Sequence, residues 1–201
     1  MKSRDFPQSV GTIREHTMSE TAVCVWITGL AGSGKTSLAE LVVRNGRASG
    51  AEIVWLDGDL IRDFMGARNP ASYSQEGRKK LALLYGELCC FFLTRGFSVV
   101  ISTIAMHPGV SEWNRENIPG YFEIFLSVPA ATLRDRDQNG IYSGMSDVVG
   151  VDIDATYPES PDLTVELGTS GRSVNALELE DVVREVLDKS GMKARYFLPK
   201  K

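Results

Sequence analysis

The sequence predicts an α/β domain with a mostly parallel five-stranded sheet and helices on both faces. Three features of its 201 residues carry that expectation. Five apolar runs have strand length, stretches with a three- to four-residue apolar period separate several of them, and a glycine-rich loop joins the first run to the first helical stretch.

In chain order, residues 22–28 (AVCVWIT) form a continuous branched and aromatic run, the pattern of a strand buried on both faces of a parallel sheet. A helix is expected over 35–45 and a second strand over 52–56 (EIVWL). Within 74–95, Leu81, Leu84, Tyr85, Leu88, Phe91 and Phe92 line one face of a long helix. Strands are then expected at 97–102, 121–128 and, less apolar, 163–167, with helices at 110–117, 130–135 and 177–189. Right-handed crossovers between parallel strands place the helices on both faces. Residues 137–160 contain Gly140, Gly144, Gly150 and Pro158 with little periodicity, and a loop of that length in a compact domain is commonly functional. The expected organisation is a polar leader over 1–20, one domain over 21–190 and a tail over 191–201 that is basic from Lys193 to Lys201.

With 22 Lys and Arg against 26 Asp and Glu, the chain has a net charge of -4, so no global positive field draws it to nucleic acid. Cys24, Cys89 and Cys90 lie inside apolar runs, which suits neither a disulfide framework nor a zinc site, and the expected compartment is the reducing cytoplasm. No run approaches the ~18 apolar residues of a membrane span, and the N-terminus lacks the apolar core of a signal peptide.

Residues 29–36 read GLAGSGKT, a full match to the phosphate-loop pattern G-x-x-x-x-G-K-[ST] in its required strand-loop-helix setting. Gly29, Gly32 and Gly34 let the backbone wrap phosphates. The N–H groups of Ser33 and its neighbours through Ser37 point inward at a helix N-terminus. Lys35 and Thr36 reach the terminal phosphates and Mg²⁺. An ATP or GTP site is implied, and the absence of an N-K-x-D segment argues against a GTPase. The second strand ends in Asp57-Gly58-Asp59, followed by Leu60-Ile61-Arg62, at the sheet edge where open α/β folds bind ligands. Carboxylates there can steer Mg²⁺ or accept a hydroxyl proton, and the arginine can clamp an anion. The plainer reading, an acidic turn capping a helix at Leu60, is compatible with both. Phosphoryl transfer to a small molecule fits best.

Several motifs in order then carry a resemblance: W-I-T-G-L-A-G-S-G-K-T, L-D-G-D-L-I-R, Tyr73-Ser74 with Arg78, and R-D-Q-N-G-I-Y from Arg136. Over residues 23–166 the chain resembles the adenylylsulfate kinase family, phosphate-loop (P-loop) kinases that phosphorylate the 3′-hydroxyl of adenylyl sulfate with MgATP. The resemblance implies a P-loop kinase fold with a lid over about 137–160. It makes Asp59 the carboxylate that activates the acceptor, with Lys35 and Asp57 beside it, and puts Thr36 and Asp57 at the metal. Arg62 and Arg78 would hold the acceptor's phosphate-type groups, Tyr73 would stack on its base, and Arg136 would lie near the ATP base. Leu81, Ser102, Thr103, Ile104, Val149 and Gly150 also fall on the acceptor side, and relatives commonly dimerise.

The departures lie on that side. Leu81 replaces a family asparagine, Ala105 replaces a family serine, and Ser143-Gly144-Met145-Ser146-Asp147 stands where the family lid has cations. The stretch W-N-R-E-N-I-P-G-Y-F-E from Trp113 is similar to a branch of these kinases that acts on cytidine diphosphoramidate. Adenylyl sulfate is the expected acceptor, cytidine diphosphoramidate or another nucleoside diphosphate analogue the alternative, and a non-catalytic nucleotide-binding protein the rival class. His107 is read as a solvated loop histidine, Trp113 as a packing anchor, and Asn114 and Arg115 as candidates to line the acceptor pocket. Residues 137–171 hold seven acidic residues and no Lys or Arg, which leaves 19 acidic against 22 basic residues elsewhere.

Overall fold

The structure, a computed structural model, describes residues 22–67, 69–136, 156–167 and 176–192. Its strands are β1 (Cys24–Gly29), β2 (Ile53–Asp57), β3 (Ser98–Thr103), β4 (Tyr121–Ser127) and β5 (Leu163–Glu166). Its helices are α1 (Lys35–Ala48), α2 (Gly58–Phe64), α3 (Pro70–Tyr73), α4 (Gln75–Leu93), α5 (Pro108–Asn117), α6 (Ala130–Arg136) and α7 (Ala176–Ser190). The strands form one sheet in the order β2-β3-β1-β4-β5, and every pairing is parallel. The expected fold class is borne out.

Alternation along the central strands divides the core. On one face Val25, Ile27, Val100, Ile124 and Leu126 pack with Leu38 and Val42 of α1 and Val183 and Val186 of α7. On the other, Cys24, Trp26, Val99 and Ile101 pack with Leu81, Tyr85 and Cys89 of α4 and Val110 of α5. Every residue of β1 and β3 is buried, which is why the centre of each reads as an apolar run, with the buried hydroxyls of Thr28, Ser98, Ser102 and Thr103 toward the strand ends. Trp113 packs against the second cluster as an anchor, and a Cβ on Gly86 of α4 would come within 2.6 Å of its ring, so only glycine lets α4 and α5 approach this closely.

Helix ends follow local chemistry. Ser74 caps α4 by accepting from the Gly77 N–H at 3.1 Å. Helix α5 begins two residues before the expected 110, because Pro108 suits the first helical position. Helix α2 is the helix that the acidic turn was expected to cap at Leu60, whereas α3 has no expected counterpart, being too short to show a period. Among the described residues the three cysteines are free thiols, and no helix is long and apolar enough to cross a membrane.

Candidate active site

The parallel order brings the ends of β1, β2 and β3 to one edge, where the glycine loop, the Asp57-Gly58-Asp59 turn and Ser102 meet. Two glycines are structurally required there. A Cβ at Gly29 would lie 2.8 Å from the Leu126 carbonyl oxygen and from Ser33 Oγ. Gly34 has open space around it but adopts φ 94°, the left-handed conformation that caps α1.

Inside the loop the Lys35 ammonium donates to the Leu30 carbonyl at 2.7 Å, and the same oxygen accepts from the Ser33 N–H at 3.2 Å. Desolvation lowers the Lys35 pKa to about 8, against the opposing pull of the Asp59 and Asp57 charges. The Ser33 hydroxyl is buried and makes no hydrogen bond. A half-buried cation resting on a backbone carbonyl, beside a buried hydroxyl without a partner, fits a loop built to receive anionic oxygens.

Asp57 is the hub of the edge. Its Oδ1 accepts from the Asp59 and Leu60 N–H groups at 3.0 and 3.2 Å, capping α2. Its Oδ2 accepts from Thr36 Oγ1 at 3.3 Å and Ser102 Oγ at 3.0 Å. The cap and the contacts with the glycine loop and β3 thus coexist in one side chain. A hydroxyl against a carboxylate is a hard-oxygen pair that suits Mg²⁺ sharing its shell with phosphates and water. The described residues contain no cluster of three or more His, Cys, Asp or Glu that could hold a metal alone.

Asp59 is exposed in the first turn of α2 and its charge acts on Lys35. One turn on, Arg62 donates to the Ser72 carbonyl at 3.3 Å and lies 4.9 Å from the centre of the Tyr73 ring. Arg78 donates from Nε to the Tyr73 carbonyl at 2.7 Å and lies 5.7 Å from the same ring. The two arginines and Tyr73 therefore form one cluster, with Tyr73 37% exposed.

Other sequence-selected residues fall elsewhere. Leu81 is a core side chain of α4 and presents no polar group to the edge. Ser102 is 3% exposed with its hydroxyl on Asp57, so it supports that carboxylate directly. Thr103 is buried against Gly58, and Ile104 follows β3 half-buried. Arg136 ends α6 with its side chain outside the described residues, and Val149 and Gly150 also lie outside them. Arg115 is committed to an internal network, 3.1 Å from both Glu123 and Asp162, and Asn114 is buried against Tyr121. His107 is half-buried with Nδ1 fully covered, which corrects the expectation of a solvated loop residue.

Tyr85 was not singled out for the site, yet its hydroxyl donates at 2.9 Å to the carbonyl of Gly58, the residue between the two acidic ones. The available signal was a phenol in the middle of an apolar helix face, since a buried tyrosine hydroxyl needs a partner.

This fold and edge define a P-loop phosphotransferase, a kinase. Comparison narrows the class: the family described as adenylylsulphate kinase matches residues 21–166, and the chain belongs to that family. The cytidine diphosphoramidate kinase of Campylobacter jejuni is 32% identical over 148 residues, 71% of this chain and 85% of that protein. An adenylyl-sulfate kinase of Bacillus licheniformis is 27% identical over 168 residues, 80% and 84% of the two chains. Among solved structures, the Mycobacterium tuberculosis APS kinase CysC in complex with AMPPNP and APS superposes with a TM-score of 0.71 at 26% identity, over 84% of this chain and 96% of that one.

Proposed function

We propose that this kinase transfers the γ-phosphate of ATP, with Mg²⁺, to the ribose 3′-hydroxyl of cytidine diphosphoramidate. The observation that carries the acceptor choice is the 32% identity to the Campylobacter jejuni enzyme across 85% of that protein's length. The chemistry of residues 137–171 supports it, with seven acidic residues and no Lys or Arg. A terminal sulfate offers only acceptor oxygens and calls for cationic donors, whereas a phosphoramidate presents N–H groups that carboxylates can accept.

In this reading Lys35 exchanges the Leu30 carbonyl for the β- and γ-phosphates, and Ser33, Gly34 and Thr36 present N–H groups to them. Thr36 and Asp57 hold the metal, which when bound neutralises charge on the phosphates. Arg62 and Arg78 fix the acceptor's phosphates, with Tyr73 between them beside the base. Asp59 takes the proton of the attacking hydroxyl as the new P–O bond forms and the bond to ADP breaks. Rate comes from positioning and electrostatics.

Adenylyl sulfate is the second reading, favoured by the family match over residues 21–166. ADP release with MgATP and each acceptor tests both. Cytidine diphosphoramidate is expected to give at least about tenfold higher kcat/KM than adenylyl sulfate, a difference near 1.4 kcal/mol. Faster turnover of adenylyl sulfate reverses the assignment, and no stimulation by any acceptor removes the kinase reading.

A further inference from the structure

We infer that Tyr157 is a positioning residue that keeps water from the glycine loop, so that a bound nucleotide gives its phosphoryl group to an acceptor hydroxyl and not to solvent. The inference rests on the P-loop kinase class and holds whichever acceptor is used. Two cavities meet at this residue. The first, about 160 Å³, lies against the glycine loop and is lined by Leu30, whose carbonyl holds the Lys35 ammonium. Leu126 lines it too, pairs with Gly29 in the sheet, and brings its carbonyl oxygen too close to Gly29 for a Cβ to fit between them. The second, about 180 Å³, lies between α5 and residues 156–160 and carries Glu112, Arg115, Glu123 and Glu159. Among the described residues, Tyr157 is the one that lines both.

The two spaces differ in chemistry. Leu30, Phe125, Leu126 and Val128 make the loop-side lining mostly hydrocarbon, with Ser127 its one polar side chain besides Tyr157 among the described residues. An ordered water needs two to four polar partners, so room alone does not hold one there. The cleft beside α5 is lined by carboxylates and a guanidinium, which keep their hydration. Tyr157 stands between. It is 50% exposed, and its ring lies 5.4 Å from that of Phe125 at a tilt of 57°, so one side of the phenol is pinned and the rest faces solvent. Arg115 fixes the segment that carries it, donating to the Ser160 carbonyl and the Asp162 carboxylate. Truncating the ring joins the two spaces and admits water to the loop. There a water oxygen that bonds to the γ-phosphorus as the bond to ADP breaks yields ADP, inorganic phosphate and a proton. An acceptor hydroxyl in that place yields the phosphorylated acceptor, and a dry loop selects this second outcome.

Release of inorganic phosphate from MgATP with no acceptor present tests this in the series Tyr157→Phe, Tyr157→Leu and Tyr157→Ala. Tyr157→Phe keeps the ring and is expected to match the wild type within about twofold, while Tyr157→Ala hydrolyses ATP at least about tenfold faster at a KM for ATP within about threefold. Tyr157→Leu should fall between them. It retains an apolar contact with Phe125, so its comparison with Tyr157→Phe decides the matter should Tyr157→Ala fail to fold. The added hydrolysis is expected to vanish in a Tyr157→Ala, Lys35→Met double variant, because it arises at the glycine loop. A flat series, an equal rise in Tyr157→Phe, or hydrolysis that survives the loss of Lys35 overturns the inference. Acceptor-stimulated ADP release is read separately: its absence removes the proposed function and leaves the acceptor-free series to decide this one.

Discussion

Asp59 and Tyr85 act on the same short segment in different ways, and each has its own measurable signature. In the proposed mechanism Asp59 accepts a proton, so Asp59→Asn is expected to hold AMPPNP affinity within about threefold while kcat falls by roughly 10²–10⁴. Single-turnover ADP formation beside calorimetry checks the split, and near-normal kcat would remove Asp59 from the chemistry. Tyr85→Phe deletes one oxygen and leaves the buried Gly58 carbonyl without its 2.9 Å partner. The expected cost is about 1–2 kcal/mol, read as a lower urea midpoint at unchanged m. Acceptor KM should rise in the same variant, because Gly58 opens the helix that positions Asp59 and Arg62.

At the scale of elements, the β2–α2 turn and the α5–β4 pair hold the edge in place. Asp57 caps α2 with one oxygen and meets Thr36 and Ser102 with the other, and two substitutions separate those tasks. Asp57→Asn keeps a cap-competent oxygen and should remain about 1 kcal/mol more stable than Asp57→Ala. Both should need more Mg²⁺ for half-maximal activity. Equal stability of the two would show that the cap contributes nothing.

Arg115 ties α5 to β4 and to the segment before β5 through Glu123 and Asp162. Burial raises the Glu123 pKa, with Ser111 and Arg115 opposing that shift. A carboxyl raised in the fold contributes stability when protonated and loses it as pH rises through its folded value. Arg115→Met removes the counter-charge and raises that value further. The expected destabilisation is about 2–3 kcal/mol at pH 7.5, shrinking toward pH 5 as Glu123 takes a proton. Denaturation at the two pH values checks it, and a constant gap would mean that the ion pair is not the cause.

The same elements show what the sequence could disclose. Strands β1 and β3 were legible because burial on both faces leaves an apolar run at the centre of each, Val25-Trp26-Ile27 and Val99-Val100-Ile101, and the glycine loop because its spacing is set by phosphate geometry. Helix α3 was not, since four residues are fewer than a periodic signal needs. Tyr85 and Arg115 show one limit of the sequence pattern. Periodicity reports which face a side chain occupies, while its polar partner, Gly58 at a separation of 27 residues or Asp162 at 47, is set by the sheet order. Asp57 was picked out by the motif, but its simultaneous bonds to β3 and the glycine loop were visible only once those elements had been brought side by side.

For the molecule as a whole, folding and nucleotide binding pull one proton in opposite directions. Folding desolvates Lys35 and lowers its pKa from the ordinary 10.5 to about 8, so between those values the unfolded chain holds more protons than the folded one. The stability of the empty protein should therefore rise with pH from about 8 toward 10.5, and the penalty is fully present below about 8. Phosphate groups instead require the charged ammonium, so nucleotide affinity should weaken over the same interval. If bound nucleotide keeps Lys35 protonated, binding at pH 8.5 takes up roughly 0.8 of a proton and at pH 7 only about 0.1. Calorimetry with ADP and Mg²⁺ in two buffers of different ionisation enthalpy measures that uptake directly. Lys35→Met supplies the control: it should melt a few degrees higher than the empty wild type at pH 7, show a flatter rise of stability above pH 8, and bind ADP poorly. Equal proton uptake at the two pH values, or a variant less stable than the empty wild type, would mean that the lysine is not held in the loop at the expense of the fold.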